Sequence, residues 1–527
     1  MKTNKLLLGL TFVVLISASA ASAQEKIGQV QFPVSCSAAA QQEFDRAVAM
    51  LHSFWFDASA KAFAAVTQVD PGCGMGHWGI AMTLLGNPLA APPTPKALQE
   101  GWAAVERAKA AGAKSARERE YSAAIEAFYK DSDKLDHRTR ALAYEKAMES
   151  LHRRYPEDKE AAVFYALALN ITALPSDKTY ANQLKAVGIL EQVFAEQPNH
   201  PGVAHYLIHS YDYPPIASRG LPAARRYASI APSAPHALHM PSHIFTRRGF
   251  WQESIESNRA SAAAARNHFD QLHAMDYLAY AYLQMAQDLT AKRVLDEAIA
   301  IQRINVEHFV PGYALAAIPA RYTLERSRWA DAASLSLPAS DFPWSRYPQA
   351  EAVFVFARAL GAARSGNAAG ARKDIARLEV LRDALIAAKQ GYWAEQVEIQ
   401  RQVTAAWVAR AEGKHQEALQ LMRAAADRED ATEKHPVTPG PIVPARELLG
   451  EMLLELGDPR QALKEFETSH RVEPNRFKGL YGAARAAELS GDREKARTYY
   501  ANLLALCEKA DTERPELKEA KAFLAKK

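Results

Sequence analysis

Apolar residues recur with a helical period along almost the whole chain. Between residues 58 and 69, Ala60, Phe63 and Val66 follow one another at three-residue steps, which places them on one face of a helix. Similar segments succeed one another at short intervals, and runs of β-branched residues are few. Prolines end several of these segments, at positions 71, 156, 198, 232 and 474. The pattern predicts an all-α chain of consecutive helix pairs.

The predicted pairs cover most of the chain in order. They span residues 41–69, 76–111, 116–153, 158–195, 202–230, 237–266, 271–304, 312–335, 349–384, 394–427, 442–471 and 477–508. The segment 428–444 contains four prolines, and we predict that it forms a loop over an opening.

Histidines are concentrated between residues 200 and 276, where eight of the sixteen fall. His205 and His209 are four residues apart, as are His239 and His243, and this step places each pair on one helix face. His205, His239 and His273 are separated by 34 residues each, and His209 and His243 by the same distance. A period of 34 is typical of a helix-turn-helix repeat. These histidines are therefore predicted to occupy equivalent positions on successive first helices.

The period, together with the small, aromatic and proline positions Gly450, Ala462, Phe466 and Pro474, resembles the tetratricopeptide repeat superfamily. Several further phrases are similar to a group of exported bacterial tetratricopeptide proteins of largely unassigned function: Cys36-Ser37, Leu51-His52-Ser53-Phe54, Asp70-Pro71 with Cys73, Leu174-Pro175-Ser176-Asp177-Lys178, the two histidine phrases and Thr438-Pro439-Gly440-Pro441. The resemblance implies an all-α solenoid of about ten or eleven repeats. It implies little about a chemical activity.

Residues 1–23 have the features of a secretory signal: Lys2 and Lys5, an apolar segment over 6–16 and a small-residue cleavage site at Ala21-Ser22-Ala23. We therefore expect an exported protein, periplasmic or secreted, without a transmembrane segment in the mature chain. The signal contains two lysines and no acidic residue, so its removal lowers the net charge from +4 to +2. That small charge gives no basis for binding nucleic acid or a membrane surface.

The expected domain organisation follows from these features. A short extension over residues 24–35 precedes an N-terminal array over 36–335, which contains the His-rich groove, and a C-terminal array over 336–527. Cys36 and Cys73 lie just before two neighbouring first helices, which predicts a disulfide closing a loop of about 36 residues, worth roughly 3–4 kcal/mol. The alternative is two free buried cysteines. Cys507 has no evident partner.

In tetratricopeptide arrays the first helix of each pair lines the concave groove. Packed helix axes lie roughly 8–10 Å apart, so the side chains of His205, His209, His239 and His243 could meet at one point, with His273 approaching from a third helix. Several neutral imidazoles suit Zn(II), Cu(II) or Ni(II). The sequence thus predicts a transition-metal site, or a ligand presented through one.

Other groups are predicted to share this groove. Arg247 follows His243 by four residues, and Glu307 follows His273 by 34. The full set of predicted groove residues is His236, Asp212, Arg247, Asp276, Tyr277 and Glu307, with His236 close enough to support a ligating histidine.

Two other interpretations remain open. The groove could bind a peptide, a protein or a small molecule without metal, or the histidines could be structural, each bonded to a carbonyl. A metal-dependent enzyme is a third candidate, and it would need an open coordination position and a base such as Asp276 or Glu307. The usual metalloprotease motif His-Glu-x-x-His is absent from the sequence, as are the nucleophile elbow and the phosphate-binding loop.

Overall fold

The computed structural model describes residues 25–338 and 340–526 of the chain. The predicted signal over 1–23 lies outside the described residues. Within them the regular structure consists of α-helices and short 3₁₀ turns, without a strand. The all-α prediction is confirmed.

The helices follow one another with short connections. The first eight are α1 (Ala38–His52), α2 (Phe56–Val69), α3 (Gly74–Thr83), α4 (Pro95–Ala111), α5 (Ala116–Tyr129), α6 (His137–Arg154), α7 (Lys159–Thr172) and α8 (Ala181–Glu196). The His-rich region contains α9 (Pro201–Tyr211), α10 (Leu221–Ile230), α11 (Pro235–His239), α12 (Pro241–Arg247), α13 (Trp251–Ala264), α14 (His268–Gln284) and α15 (Asp288–Ile299). The remainder are α16 (Phe309–Leu324), α17 (Trp329–Ala333), α18 (Pro348–Arg364), α19 (Ala368–Ala387), α20 (Gly391–Ala411), α21 (His415–Asp430), α22 (Ala445–Glu455), α23 (Pro459–Val472), α24 (Phe477–Leu489), α25 (Arg493–Leu506) and α26 (Pro515–Ala525).

Successive helices pack as pairs, and each pair packs on the next. Phe466 of α23 shows why small residues are needed at set positions. A Cβ atom added to Gly450 of α22 would lie 2.7 Å from its ring, and one added to Gly482 of α24 would lie 2.3 Å from it. The aromatic ring therefore fills the space that two glycines on flanking helices leave open. The fold is a solenoid of the tetratricopeptide type, as the sequence predicts.

Three elements differ from the predicted pattern. The first helix of the pair predicted over 237–266 is broken at Met240, because Pro241 has no backbone N–H to donate within a continuous helix. The second helix of the pair predicted over 312–335 is the short α17, and α26 was not predicted at all.

A disulfide joins Cys36 and Cys73 at the start of the array, with their Cα atoms 5.1 Å apart. The Asp70 carboxylate accepts the backbone N–H of Ser37 at 2.8 Å, and Ser37 in turn caps α1. The predicted pairing is confirmed, and Cys507 is buried and free.

Distant parts of the chain contact one another and close the solenoid on itself. The indole of Trp251 donates to the carbonyl of Asn475 at 2.6 Å. The guanidinium of Arg476 bonds the carboxylates of Glu325 and Glu447 at 2.7 and 2.8 Å. The helices after residue 473 thus pack against the middle of the array.

The segment 431–444, which we call the strap, lies between α21 and α22 and crosses to the N-terminal array. Lys178 donates to Glu433 at 2.8 Å, and Lys434 pairs with Asp212 at 2.5 Å. The strap therefore covers the His-rich region. Over residues 25–338 and 340–526, no helix combines the length and the apolar composition needed to cross a bilayer.

Candidate metal centre

Six buried histidines form two neighbouring groups of three. The upstream triad consists of His205, His209 and His236, and the downstream triad of His239, His243 and His273. In each triad, one ligand nitrogen from each ring lies within 4.8 Å of the other two. No ring of the six is more than 7% exposed. The upstream triad is built on α9 and α11, and the downstream triad on α11, α12 and α14.

The histidines that are separated by 34 residues in sequence, which we call the ladder, are neighbours in the structure. The rings of His209 and His243 lie 5.7 Å apart, and those of His239 and His273 lie 4.2 Å apart. The four histidines predicted to meet at one point nevertheless divide between two triads. The reason is α11, whose His236 joins the rings of α9 while His239 joins those of α12 and α14.

In the downstream triad the outer nitrogens are bonded to oxygen acceptors. Nδ1 of His243 lies 2.9 Å from the Asp212 carboxylate, and Nδ1 of His239 lies 2.6 Å from Oδ1 of Asn258. The amide group of Asn258 donates to the carbonyl of Ser254, which orients its oxygen toward His239. Both Nδ1 atoms must therefore carry the proton. Their Nε2 atoms, which lie 3.0 Å apart, present lone pairs to each other.

The upstream triad has a similar arrangement. Nδ1 of His205 donates to the carbonyl of His52 at 2.6 Å, which leaves a lone pair on its Nε2. That Nε2 lies 3.1 Å from Nε2 of His236. Nε2 of His209 is buried and has no hydrogen-bond partner. The ring of Phe54 stacks on His236 at 5.4 Å and forms an apolar wall.

Asp212 connects the downstream triad to two buried cations. Besides His243, its carboxylate accepts from Nε of Arg247 at 3.0 Å and pairs with Lys434 of the strap. Tyr277 also links the strap to the triad, because its hydroxyl lies 3.4 Å from Nε2 of His243 and 3.1 Å from the carbonyl of Thr438. The strap therefore lies directly over this triad.

Burial keeps these imidazoles neutral. It lowers the pKa of all six rings, because removal from water disfavours the imidazolium form. The pKa of His239 falls to about 4. The nearby ammonium of Lys434 lowers the pKa of His243 further. A neutral imidazole is the form that ligates a metal ion.

Two predicted groove residues have other partners. The Asp276 carboxylate pairs with Arg321 at 3.0 Å, and Arg321 also bonds the carbonyls of Gly440 and Pro441 in the strap. Asp276 therefore helps to position the strap. Glu307 pairs with Arg346 at 2.6 Å and is 41% exposed, so it lies at the surface. The prediction that Glu307 shares the groove with the histidines is therefore wrong.

Sequence reasoning missed Asn258, Lys434 and His52. Asn258 and Lys434 lie outside the ladder, and no local pattern distinguishes them.

His52 belongs to a third buried group, with Glu160 and His200. Here every ring nitrogen has a suitable partner: both rings approach Glu160, at 2.8 and 2.7 Å, and their other nitrogens lie near the hydroxyl of Tyr206 and the N–H of Val203. This group is a complete hydrogen-bond network.

A cavity of about 330 Å³ is lined in part by the strap. Aromatic rings of Tyr313, Tyr392 and Trp393 line it, and so do the amides of Gln349 and Gln400. Both of these amides have a buried oxygen without a hydrogen-bond partner. The cavity is large enough for a small ligand or a short piece of peptide.

No protein-family model matches the sequence, and none of the curated proteins shows a significant match. Solved structures do match. The Cut9–Hcn1 hetero-tetramer of APC/C is 11% identical over 92% of this chain and 96% of that chain, with a TM-score of 0.30. The human IFIT1 dimer with m7Gppp-AAAA is 13% identical over 82% and 90%, with a TM-score of 0.39. A tetratricopeptide repeat protein from Parabacteroides merdae ATCC 43184 is 10% identical over 77% and 99%, with a TM-score of 0.24. Such distant matches say nothing about function, and the fold rests on this chain's own helix pairs.

Proposed function

We propose that this protein binds a transition-metal ion at the downstream triad. The observation that supports the proposal is the 3.0 Å approach of Nε2 of His239 to Nε2 of His243. Both of the corresponding Nδ1 atoms are bonded to oxygen acceptors, so two lone pairs face each other at hydrogen-bond distance. A cation between them removes the repulsion, and His273 supplies a third nitrogen.

A proton between the two rings is the simplest alternative cation. It would create an imidazolium in a buried site, where an isolated charge is costly. The neighbouring carboxylate of Asp212 gives little compensation, because Arg247 and Lys434 already share it. A metal ion binds three nitrogens at once and leaves each imidazole neutral.

The donor set limits the identity of the metal. Three imidazoles without a carboxylate suit Zn(II), Cu(II) or Ni(II), whereas Mg²⁺ and Ca²⁺ prefer oxygen ligands. Asp212 and Asn258 hold the outer nitrogens of two rings, as the supporting residues of metal sites commonly do. Three protein ligands also leave a coordination position open, which a ligand or a reacting water needs.

Export to the periplasm or outside the cell is part of the proposal and follows from the predicted signal over residues 1–23. The ligand-binding role follows from the scaffold. Solenoids of helix pairs present extended surfaces on which peptides and proteins bind. In this protein the cavity beside the strap offers such a ligand aromatic rings and the side-chain amides of Gln349 and Gln400.

A second candidate function is docking of a peptide or protein in this cavity without any metal. The residues that line the cavity favour it, because the rings of Tyr313 and Trp393 offer a bound peptide apolar contacts and the glutamine amides offer hydrogen-bonding groups. Metal-dependent catalysis is a third candidate, and it would show as turnover that a chelator abolishes.

Elemental analysis tests the metal proposal. Untagged protein purified from its native compartment is expected to contain at least about one equivalent of Zn, Cu or Ni. The double variant His239→Gln/His243→Gln should lose that equivalent, because it removes two of the three nitrogens. A matched control is His200→Gln, which removes a buried histidine whose nitrogens are already hydrogen-bonded.

Circular dichroism should show that all three proteins are folded. Wild-type protein that contains no metal and takes up none on dialysis against Zn(II) and Cu(II) would contradict the proposal. Binding of peptides by such a metal-free protein would then support the docking function.

A further inference from the structure

We infer that the upstream triad binds a second metal ion, so that the protein contains a pair of adjacent three-imidazole centres. This inference rests on the proposed function, since it assumes that the downstream triad binds the first ion. The two triads share no residue, and each brings three ring nitrogens to one point.

His205 has the tautomer that metal ligation requires. Its Nδ1 donates to the carbonyl of His52, which cannot donate in return. The lone pair of the ring is therefore on Nε2, which points to His236 at 3.1 Å. His205 is fully buried, so bulk water does not reach this nitrogen.

His209 provides an independent indication. Its Nε2 is buried and has no hydrogen-bond partner, and the residue as a whole is only 7% exposed. An orphaned nitrogen of this kind costs about 1–3 kcal/mol. A proton on His236 could bridge its ring to His205, but that bond would leave His209 unsatisfied. A metal ion between the three rings satisfies all of them.

The third histidine group shows what a metal-free cluster looks like in this protein. His52 and His200 meet at the carboxylate of Glu160, and each of their four ring nitrogens has a partner. Neither triad contains a carboxylate at its centre, and each has lone pairs that face one another or have no partner. The contrast distinguishes a hydrogen-bond network from two sets of ring nitrogens that are arranged to share a cation.

The two centres are neighbours. Across the boundary between the triads, the rings of His209 and His243 lie 5.7 Å apart and those of His236 and His239 lie 5.9 Å apart. All six donors are neutral, and copper binds such nitrogen sites most strongly among the divalent first-row metals. The pair therefore suits two copper ions better than ions that depend on carboxylates.

Copper stoichiometry tests this inference. Untagged full-length protein is stripped with a chelator, dialysed against Cu(II) and measured by elemental analysis. Wild type is expected to retain about two equivalents, and His209→Gln and His273→Gln about one each, because each variant disables one triad. The control His200→Gln should retain about as much as wild type. Electron paramagnetic resonance should detect coupling between neighbouring Cu(II) ions in wild type, and an isolated ion in each single-triad variant.

The outcomes separate the two proposals. One equivalent in wild type, lost in His273→Gln and kept in His209→Gln, would overturn the second site and leave the first. Loss of all copper in both variants would show that the six histidines form a single site. Wild type that retains no copper would overturn the two-copper inference, and the proposed metal site would also fail only if wild type took up no Zn(II) or Ni(II) either. Wild-type stoichiometry decides the question even if a variant fails to fold.

Discussion

Asp212 is the residue that ties the His-rich region to the strap. It holds Nδ1 of His243 and pairs with both Arg247 and Lys434, which are buried with it. A carboxylate in this position orients the imidazole and increases its basicity toward a metal. The contacts of Asp212 therefore determine the orientation of His243 and its affinity for a metal.

Asp212→Asn should weaken metal binding at the downstream triad by about 10–100-fold, the usual effect of losing such a supporting group. Competition titration with a chromophoric chelator would measure the change. Asp374→Asn is the matched control, because Asp374 is a similarly buried carboxylate that pairs with Arg358 and belongs to neither triad. Equal losses of affinity in the two variants would mean that Asp212 contributes only through general stability.

Glu429 is a second residue whose environment predicts a measurable effect. Burial, together with nearby carboxylates such as Asp430 and Glu473, raises its pKa to about 8 even though its carboxylate accepts the N–H of Ala445. The unfolded chain ionises this group near 4.5. The folded state therefore binds the proton more tightly between these values, and the free energy of unfolding falls as pH rises from 4.5 to about 8.

The substitution Glu429→Gln should remove this pH-dependent fall in the free energy of unfolding. The variant is expected to match wild type below pH ~4 and to be more stable by about 1–3 kcal/mol above pH ~8, where the wild-type carboxyl must ionise. Urea denaturation at several pH values measures the difference. Glu417→Gln, on the exposed face of the same helix, is the control. A constant difference across the whole pH range would argue against a shifted Glu429.

At the scale of elements, a covalent bond joins the first helices of the array. The Cys36–Cys73 disulfide joins the starts of α1 and α3 and closes a loop of 37 residues. Terminal repeats have only one neighbour and unfold most easily. α1 leads directly to His52, whose carbonyl fixes the tautomer of His205. Order at this end of the solenoid therefore supports the upstream triad.

Cys36→Ser/Cys73→Ser should lower the free energy of unfolding by about 4 kcal/mol in the chain-entropy model for a loop of this size. Thermal and urea denaturation would measure the loss. Hydrogen exchange should show the extra opening mainly in α1 to α3, with little change in the C-terminal helices. Uniformly faster exchange over the whole chain would contradict a local role.

At the scale of the molecule, closure of the solenoid creates the buried environment of the site. Arg476 is central to that closure, because it pairs with Glu325 and Glu447 and all three side chains are almost completely buried. Removing one partner from a buried ion pair costs more than the pair contributes, since it leaves the other charge unpaired.

Arg476→Met should therefore lower the free energy of unfolding by about 3–5 kcal/mol. Limited proteolysis should then cut first after residue 473, and small-angle scattering should show a more open particle. Arg497→Met, an exposed arginine of α25, is the control and should have little effect. A compact, protease-resistant Arg476→Met protein would show that closure does not depend on this ion network.

Gly249→Ala tests closure without changing a charge. Gly249 has a φ of +64°, and an added Cβ would lie 2.4 Å from the carbonyl oxygen of Pro474. The variant is expected to push residue 249 away from Pro474 and so to expose the C-terminal helices to protease. Metal should also exchange faster in this variant, because the strap and the helices that cover the triads would be less firmly held.

Local patterns in the sequence determined the fold class, most of the helix pairs and part of the arrangement of the histidines. The helical period and its prolines predicted the all-α class and nearly all of the helix pairs, because amphipathic faces and helix ends depend on neighbouring residues. The 34-residue step correctly placed His209 beside His243 and His239 beside His273. It did so because equivalent positions in a repeat array share one orientation.

The tertiary structure decided the rest. The division into two triads depends on how α11 packs between α9 and α14, and periodicity does not contain that information. Asn258 and Lys434 reach His239 and Asp212 from 19 and 222 residues away in the chain, and no spacing rule connects them. Glu307 is 34 residues after His273 in sequence but lies at the surface, because the next helix begins only at Phe309 and Glu307 lies in the connection before it. Burial, partner choice and proton position depend on distant contacts, which only the folded chain brings together.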